Sequence, residues 1–257
     1  MEKTDPSELP TDANKQPHKS GDDRNFLTAL LSLVFLLMVV PFAGSLPFAG
    51  WLLRAGITAV LISAAVATIR RRELMLAVLI VAAIAIPLLW ATLFLNQPYL
   101  FLGSCILESL ILVVMAVRIV MSVFRKHVAS IHSIFGVISA YLLLGLAWAL
   151  LYWGLGNIDA RSLLGDTLRA AGSQAGSSDE VIQFSKCIYF SFVTMSTLGY
   201  GDITPATPVA QTLTWMQSVV GQFYMAVLVA LLVSEIPRRH GGPEGTPGSR
   251  QRDADGM

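Results

Sequence analysis

Six apolar runs, each close to the length of a membrane-spanning helix, constrain this chain more than any other feature of its sequence. A bilayer hydrocarbon core of ~30 Å takes about 20 helical residues. The runs are Phe26 to Ala43, Trp51 to Ile69, Leu74 to Leu95, Tyr99 to Phe124, Ile134 to Gly156 and Thr207 to Ile236. We therefore expect an all-α membrane protein with six transmembrane helices.

The charge content agrees with this class. Only 14% of the residues are charged, whereas a soluble domain carries about 25%. The formal net charge is +1, so no basic excess points to nucleic acid. Cys105 and Cys187 each lie in an apolar run and form no Cys-His zinc pattern. The composition favours membrane lipid as the surroundings and predicts no nucleic-acid partner.

The positions of Lys and Arg predict the orientation of the helices. Clusters of these residues follow the second, fourth and sixth runs, whereas the loops after the first and third runs contain none. The clusters lie at 70–72, 125–126 and 238–239. Because basic loops stay in the cytoplasm, we expect a multi-pass protein of the cell (inner) membrane with both termini cytoplasmic.

The same patterns divide the chain into four parts. Residues 1–24 and 237–257 are polar or rich in proline and glycine, which is typical of disordered tails. We expect both tails to be cytoplasmic. Residues 25–133 are predicted to form a four-helix transmembrane bundle with a linker, and residues 134–236 a second membrane unit.

One apolar segment inside the second unit is too short to cross the bilayer. Phe184 to Ser196 contains 13 residues and runs directly into Thr197 to Asp202. A segment that enters and returns places irregular backbone at membrane depth, where it is tolerated only if it lines an aqueous path or is buried in protein. The sequence therefore predicts a re-entrant pore helix and loop between the fifth and sixth helices.

The loop has the chemistry of a cation pathway. Rings of backbone carbonyls can replace the hydration shell of a monovalent cation. Gly199 and Gly201, at alternate positions, accept the left-handed backbone that aims successive carbonyls at one axis. Thr197 can add a hydroxyl below them. Since one chain supplies a quarter of each ring, we expect a homotetramer.

The segment TMSTLGYGD at 194–202 resembles the selectivity filter of the potassium channel pore-domain family, and the resemblance covers about residues 134–236. It implies a potassium-selective channel that conducts K⁺ passively. The implied K⁺-binding residues are Thr197, Leu198, Gly199, Tyr200 and Gly201. Those implied to support the filter or form its outer mouth are Tyr189, Phe190, Val193, Thr194, Ser196 and Asp202. Gly221 matches a gating hinge in the inner helix. Leu198 departs from the commonest residue, valine.

Three further charged residues receive expected roles. Glu235, at the inner end of the last run, could form a carboxylate ring at the inner mouth, or could be an ordinary helix-end charge. Arg54 and Glu108 both fall in the outer half of the first bundle. Since such residues are costly in a membrane unless paired, we expect them to form a structural ion pair.

The fourth run lacks the regularly spaced arginines of a voltage sensor. Among the residues at every third position from Ser109 to Met121, Arg118 is the single charged one. One charge crossing the full field couples only ~2.3 kcal/mol per 100 mV, whereas steep gating takes several. We expect weak voltage dependence.

The leading hypothesis is thus a homotetrameric K⁺ channel in membrane lipid, with K⁺ as the permeant ion and no cofactor. A weakly selective cation channel is one alternative, if Leu198 loosens the packing behind the filter. A non-conducting membrane subunit with the channel fold is another. An enzyme is not expected, because no ligand set or nucleophile constellation is found in the runs.

Overall fold

The computed structural model describes residues 20–44, 46, 48–68, 72–95, 97–125, 131–164 and 177–234. Seven α-helices lie in these ranges. They are α1 (Ser20–Ala43), α2 (Ala49–Thr68), α3 (Arg72–Ala91), α4 (Pro98–Arg125), α5 (Ile131–Ile158), α6 (Ser177–Met195) and α7 (Pro208–Ser234). The all-α expectation is confirmed, apart from two two-residue strands described below.

Three helices contain stretches long and apolar enough to cross a membrane: Pro98–Val123, Ile134–Ile158 and Pro208–Ala230. The described parts of α1, α2 and α3 hold shorter apolar stretches, Leu30–Ala43, Ala49–Ala65 and Ile80–Ala91. Six helices therefore fall on the six apolar runs, and three of them meet the length and composition of a span.

The helix boundaries differ from the sequence expectations mainly at the start of the chain. Helix α1 begins at Ser20, inside the range 1–24 that was assigned to a tail. Residues 1–19 and 235–257, which carry the rest of the expected tails, lie outside the described residues.

Helix α5 is the centre of the packing. It runs along α4 and also contacts α1 and α6. Its Trp153 is fully buried and joins three helices: the ring centroids lie 4.6 Å from Phe101 of α4 and 4.7 Å from Phe184 of α6. Aromatic rings bury large areas in such edge and tilted arrangements, so this cluster fixes α6 against the α4–α5 pair.

Two short strands fix the loop that follows α6. Strand β1 (Leu163–Leu164) pairs antiparallel with β2 (Thr204–Pro205), with Leu163 opposite Pro205. The amide of Ala206 also donates to the Ser162 carbonyl at 3.0 Å. The end of the connection between α6 and α7 is thereby attached to the segment that follows α5.

Helix α6 is longer than the segment the sequence predicted. It begins at Ser177, seven residues before Phe184, and ends at Met195. The added turns are polar, with Asp179 and Glu180 in the first turn, where the positive end of the helix dipole favours carboxylates. Apolar content alone did not indicate them.

Candidate functional site

The C-terminal end of α6 holds the following loop through its last carbonyls. Val193 O accepts hydrogen bonds from the amides of Leu198 at 3.0 Å and Gly199 at 3.3 Å. The Thr197 amide donates to Thr194 O at 3.0 Å. A helix end leaves four carbonyls without helical partners, and here amides of the loop bond to three of them, those of Phe192, Val193 and Thr194. The start of the loop is therefore set by the helix end.

The loop backbone alternates between left-handed and ordinary conformations. Thr197, Gly199 and Gly201 have φ of 61°, 55° and 80°. The sequence predicted this conformation at the two glycines but not at Thr197. A residue with a Cβ disfavours it by roughly 1–2 kcal/mol, and such strain is concentrated at functional sites. This alternation turns successive peptide planes so that their carbonyls can face one side of the chain.

The loop is exposed on the surface of the single chain. Residues 196 to 202 are all exposed, and the side chains of Leu198 and Tyr200 are 54% and 66% exposed. A cavity of about 800 Å³ lies between this loop and α7. Its lining includes Thr197, Gly199 and Gly201 on one side and Gln222 on the other.

A buried polar network, which the sequence analysis missed, holds α6 against α5 and α7. Gln217 is fully buried and donates to Ser191 O at 2.9 Å, while its own Oε1 accepts from the Tyr152 hydroxyl at 2.7 Å. Ser191 Oγ donates to Gly145 O at 2.6 Å. Ser191 stands between Phe190 and Phe192, and that isolation is a signal that could have identified it, whereas Gln217 is followed directly by Ser218 and is not isolated in the sequence.

Gly221 lies against the end of α6. A Cβ built at this glycine would lie 2.5 Å from the main-chain oxygen of Met195. Gly221 is therefore a close-approach position between α7 and the base of the loop. Its expected role as a gating hinge stays a prediction.

The residues assigned to the filter surroundings fall into two groups. Phe190 is buried and packs against Tyr152, with ring centroids 5.0 Å apart. Thr194 is also buried. Tyr189 is 38% exposed and lies close enough to Asp202 for the two side chains to interact. The structure thus brings Tyr189 and Asp202 together beside the loop, while Val193 acts through its carbonyl.

The expected ion pair between Arg54 and Glu108 is wrong. Arg54 Nη1 instead donates to Glu180 Oε2 at 2.9 Å. Glu108 is fully buried, and neither carboxylate oxygen has a hydrogen-bond partner among the described residues. The reason is the length of α6, whose added first turn brings an acid to Arg54. Glu235 lies outside the described residues.

Comparison with known proteins finds similarities in the second half of the chain. Residues 136–237 match the family described as "Ion channel". This part of the chain is therefore similar to an ion channel pore domain, and it lies in a chain with three described helices that are long and apolar enough to cross a membrane.

Among curated proteins, the chain is similar to "Two pore potassium channel c" of Oryza sativa subsp. japonica. The two are 35% identical over 75 residues, which are 28% of this chain and 16% of the relative. The chain thus matches about one sixth of the length of that relative. The pore domain is distantly similar to that of a potassium channel.

Proposed function

We propose that this protein is a homotetrameric, potassium-selective channel whose filter is Thr197 to Gly201. The observation that carries the proposal is the alternation of left-handed residues at 197, 199 and 201 in a loop fixed to the end of α6. Four such loops around one axis would present stacked rings of main-chain oxygens, the ligand set that replaces the hydration of K⁺.

The exposed surfaces support assembly of four copies. The loop is exposed throughout, and the apolar stretch of α7 is only 11% buried by its own chain. Gln222 is exposed at the cavity beside the loop, and an amide is unfavourable against lipid tails. This face of α7 therefore suits a water-filled path or a neighbouring copy better than lipid.

The remaining parts of the proposal concern the membrane. Six helices cross the bilayer, both termini are cytoplasmic, and the protein resides in the cell (inner) membrane. The basic clusters at 70–72, 125–126 and 238–239 support this orientation. Tyr189 and Asp202 then belong to the outer mouth. We place the bundle at 25–133 and the pore domain at 134–236, and we keep weak voltage dependence because Arg118 is the single basic residue in the interior of α4.

Reversal potentials of the purified protein in planar bilayers test the proposal. Under mixed K⁺ and Na⁺, a K⁺-selective pore should shift its reversal potential by about 59 mV for each tenfold change in K⁺. The mass of the assembly should correspond to four chains. Equal responses to K⁺ and Na⁺ would favour the weakly selective channel, in which case Leu198→Val should restore selectivity. Intact tetramers without flux would favour the non-conducting subunit.

A further inference from the structure

Arg54 lies where three helices meet. Its side chain is 1% exposed. Nη1 donates to Gly50 O at 3.3 Å, Nε to Leu89 O at 3.4 Å and Nη2 to Thr92 Oγ1 at 3.3 Å. The fourth partner is Glu180, on α6. One guanidinium therefore joins α2, the end of α3 and the first turn of α6.

The geometry points to Arg54 as a positioning residue through which α2 and the end of α3 fix the outer end of the pore helix α6 and so hold the filter in its conducting shape. This proposal deepens the proposed function and rests on it for its conduction readout. The anchor itself is a structural claim that can be measured without conduction.

The chemistry at the first turn of α6 supports a strong anchor. The bond to Glu180 is charge-assisted, and such bonds are about twice as strong as neutral ones. The buried guanidinium is costly without its partners, so its position is tightly defined. The Glu180 side chain is 41% exposed, so the carboxylate end of this ion pair reaches the protein surface while its guanidinium end is buried.

Helix α6 links this anchor to the filter. It runs without interruption over 19 residues from Ser177 to Met195, and Val193 near its end holds the amides of Leu198 and Gly199. Gln217 and Ser191 fix the second half of the helix, whereas Arg54 provides a polar anchor for the first half. A displacement of the first turn of α6 at Glu180 would therefore change the tilt of the helix and move the Val193 carbonyl.

The test compares Arg54→Gln, Glu180→Gln and the double variant in the full chain, reconstituted in lipid. The conduction-independent readout is amide hydrogen exchange over residues 179–184, which we expect to become about tenfold faster in each single variant, as for loss of a charged hydrogen bond. The double variant should exchange no faster than Arg54→Gln alone, because that substitution already removes the bond to Glu180.

The second readout is the rate at which K⁺ current declines after a step to low external K⁺. Both single variants should accelerate this decline severalfold, while Arg54→Lys, which keeps the charge, should fall between them and the unchanged protein. Arg161→Gln is the matched control, since Arg161 also pairs with an outer acid, Asp159 at 3.5 Å, but is 86% exposed. It should change neither readout.

Each outcome is decisive. Unchanged exchange in Glu180→Gln, whose exposed side chain makes misfolding a poor explanation, overturns the anchor. Faster exchange with an unchanged decline of current reduces Arg54 to a structural role and overturns the link to the filter. If the unaltered protein conducts no K⁺, the proposed function fails, while the exchange comparison still decides whether the anchor exists.

Discussion

Helices α5 and α7 lie before and after α6 and its loop and have similar lengths, yet their environments differ. In its apolar stretch α5 is 56% buried by its own chain, whereas α7 is 11% buried. Helix α5 packs on α4, α1 and α6, while α7 contacts α6 and α5 at a few defined points. Packing within one chain thus fixes the position of α5. The position of α7 depends on those few contacts and on the molecules that surround it in the membrane.

The first contact point, Gly221, should be the most sensitive to substitution. Gly221→Ala places a Cβ 2.5 Å from Met195 O, a main-chain atom that cannot move without shifting the filter base. We expect a loss of about 1–3 kcal/mol in stability, measured as the denaturant midpoint of the assembly, together with loss of K⁺ flux.

Gly136→Ala on α5 is the control for this prediction, because its Cβ would meet Ile119 Cγ2 at 3.4 Å. It should be tolerated. If both alanine variants are equally stable and differ only in gating, the hinge role of Gly221 is favoured over close packing.

The second contact point is Gln217. Gln217→Leu removes the bonds to the Ser191 carbonyl and from the Tyr152 hydroxyl, and each such hydrogen bond contributes about 0.5–1.5 kcal/mol. Thermal unfolding of the assembly should report a clear destabilisation. Gln211→Leu, an exposed position on the same helix with one 3.4 Å bond, should change little. Equal effects at the two positions would argue against the network.

The third contact point lies at the other end of the two helices. The Tyr224 hydroxyl donates to Val137 O, so Tyr224→Phe should cost about 0.5–1.5 kcal/mol. The midpoint of unfolding measures this loss of stability. Tyr99→Phe, at a residue 76% exposed, serves as the control. An equal loss of stability in Tyr99→Phe would show that the Tyr224 hydrogen bond makes no specific contribution.

The smallest effect on stability is expected at Gln222, on the exposed face of α7. Gln222→Leu should change unfolding by less than about 0.5 kcal/mol, as for other surface positions, yet lower single-channel conductance, because it removes a polar group from the cavity beside the filter. A marked stabilisation with unchanged conductance would instead place Gln222 against lipid.

The contrast between α5 and α7 also explains what could be predicted from the sequence. Hydrophobic run length was sufficient to locate the helices, and the glycine spacing was sufficient to predict two of the three left-handed residues. Both signals are local. The sequence therefore led to the helix that ends at Met195 and to the left-handed loop that follows it, without knowledge of the packing.

Side-chain contacts between helices could not be predicted from such local signals. Depth in the membrane suggested Glu108 as the partner of Arg54, but depth does not define which way a side chain faces around its helix axis. The true partner, Glu180, belongs to turns of α6 whose polar composition is typical of a loop. Likewise, Gln217 and Gly221 gain their roles only from contacts with Ser191 and Met195.

The most direct test of the central claim is a structure of the purified protein in K⁺-containing lipid, with Rb⁺ as an anomalous substitute. The account predicts four chains around one axis, with ion density on that axis between the main-chain oxygens of residues 197 to 200. Filter loops that turn away from a shared axis, or a well-ordered assembly without ions between those oxygens, would contradict it.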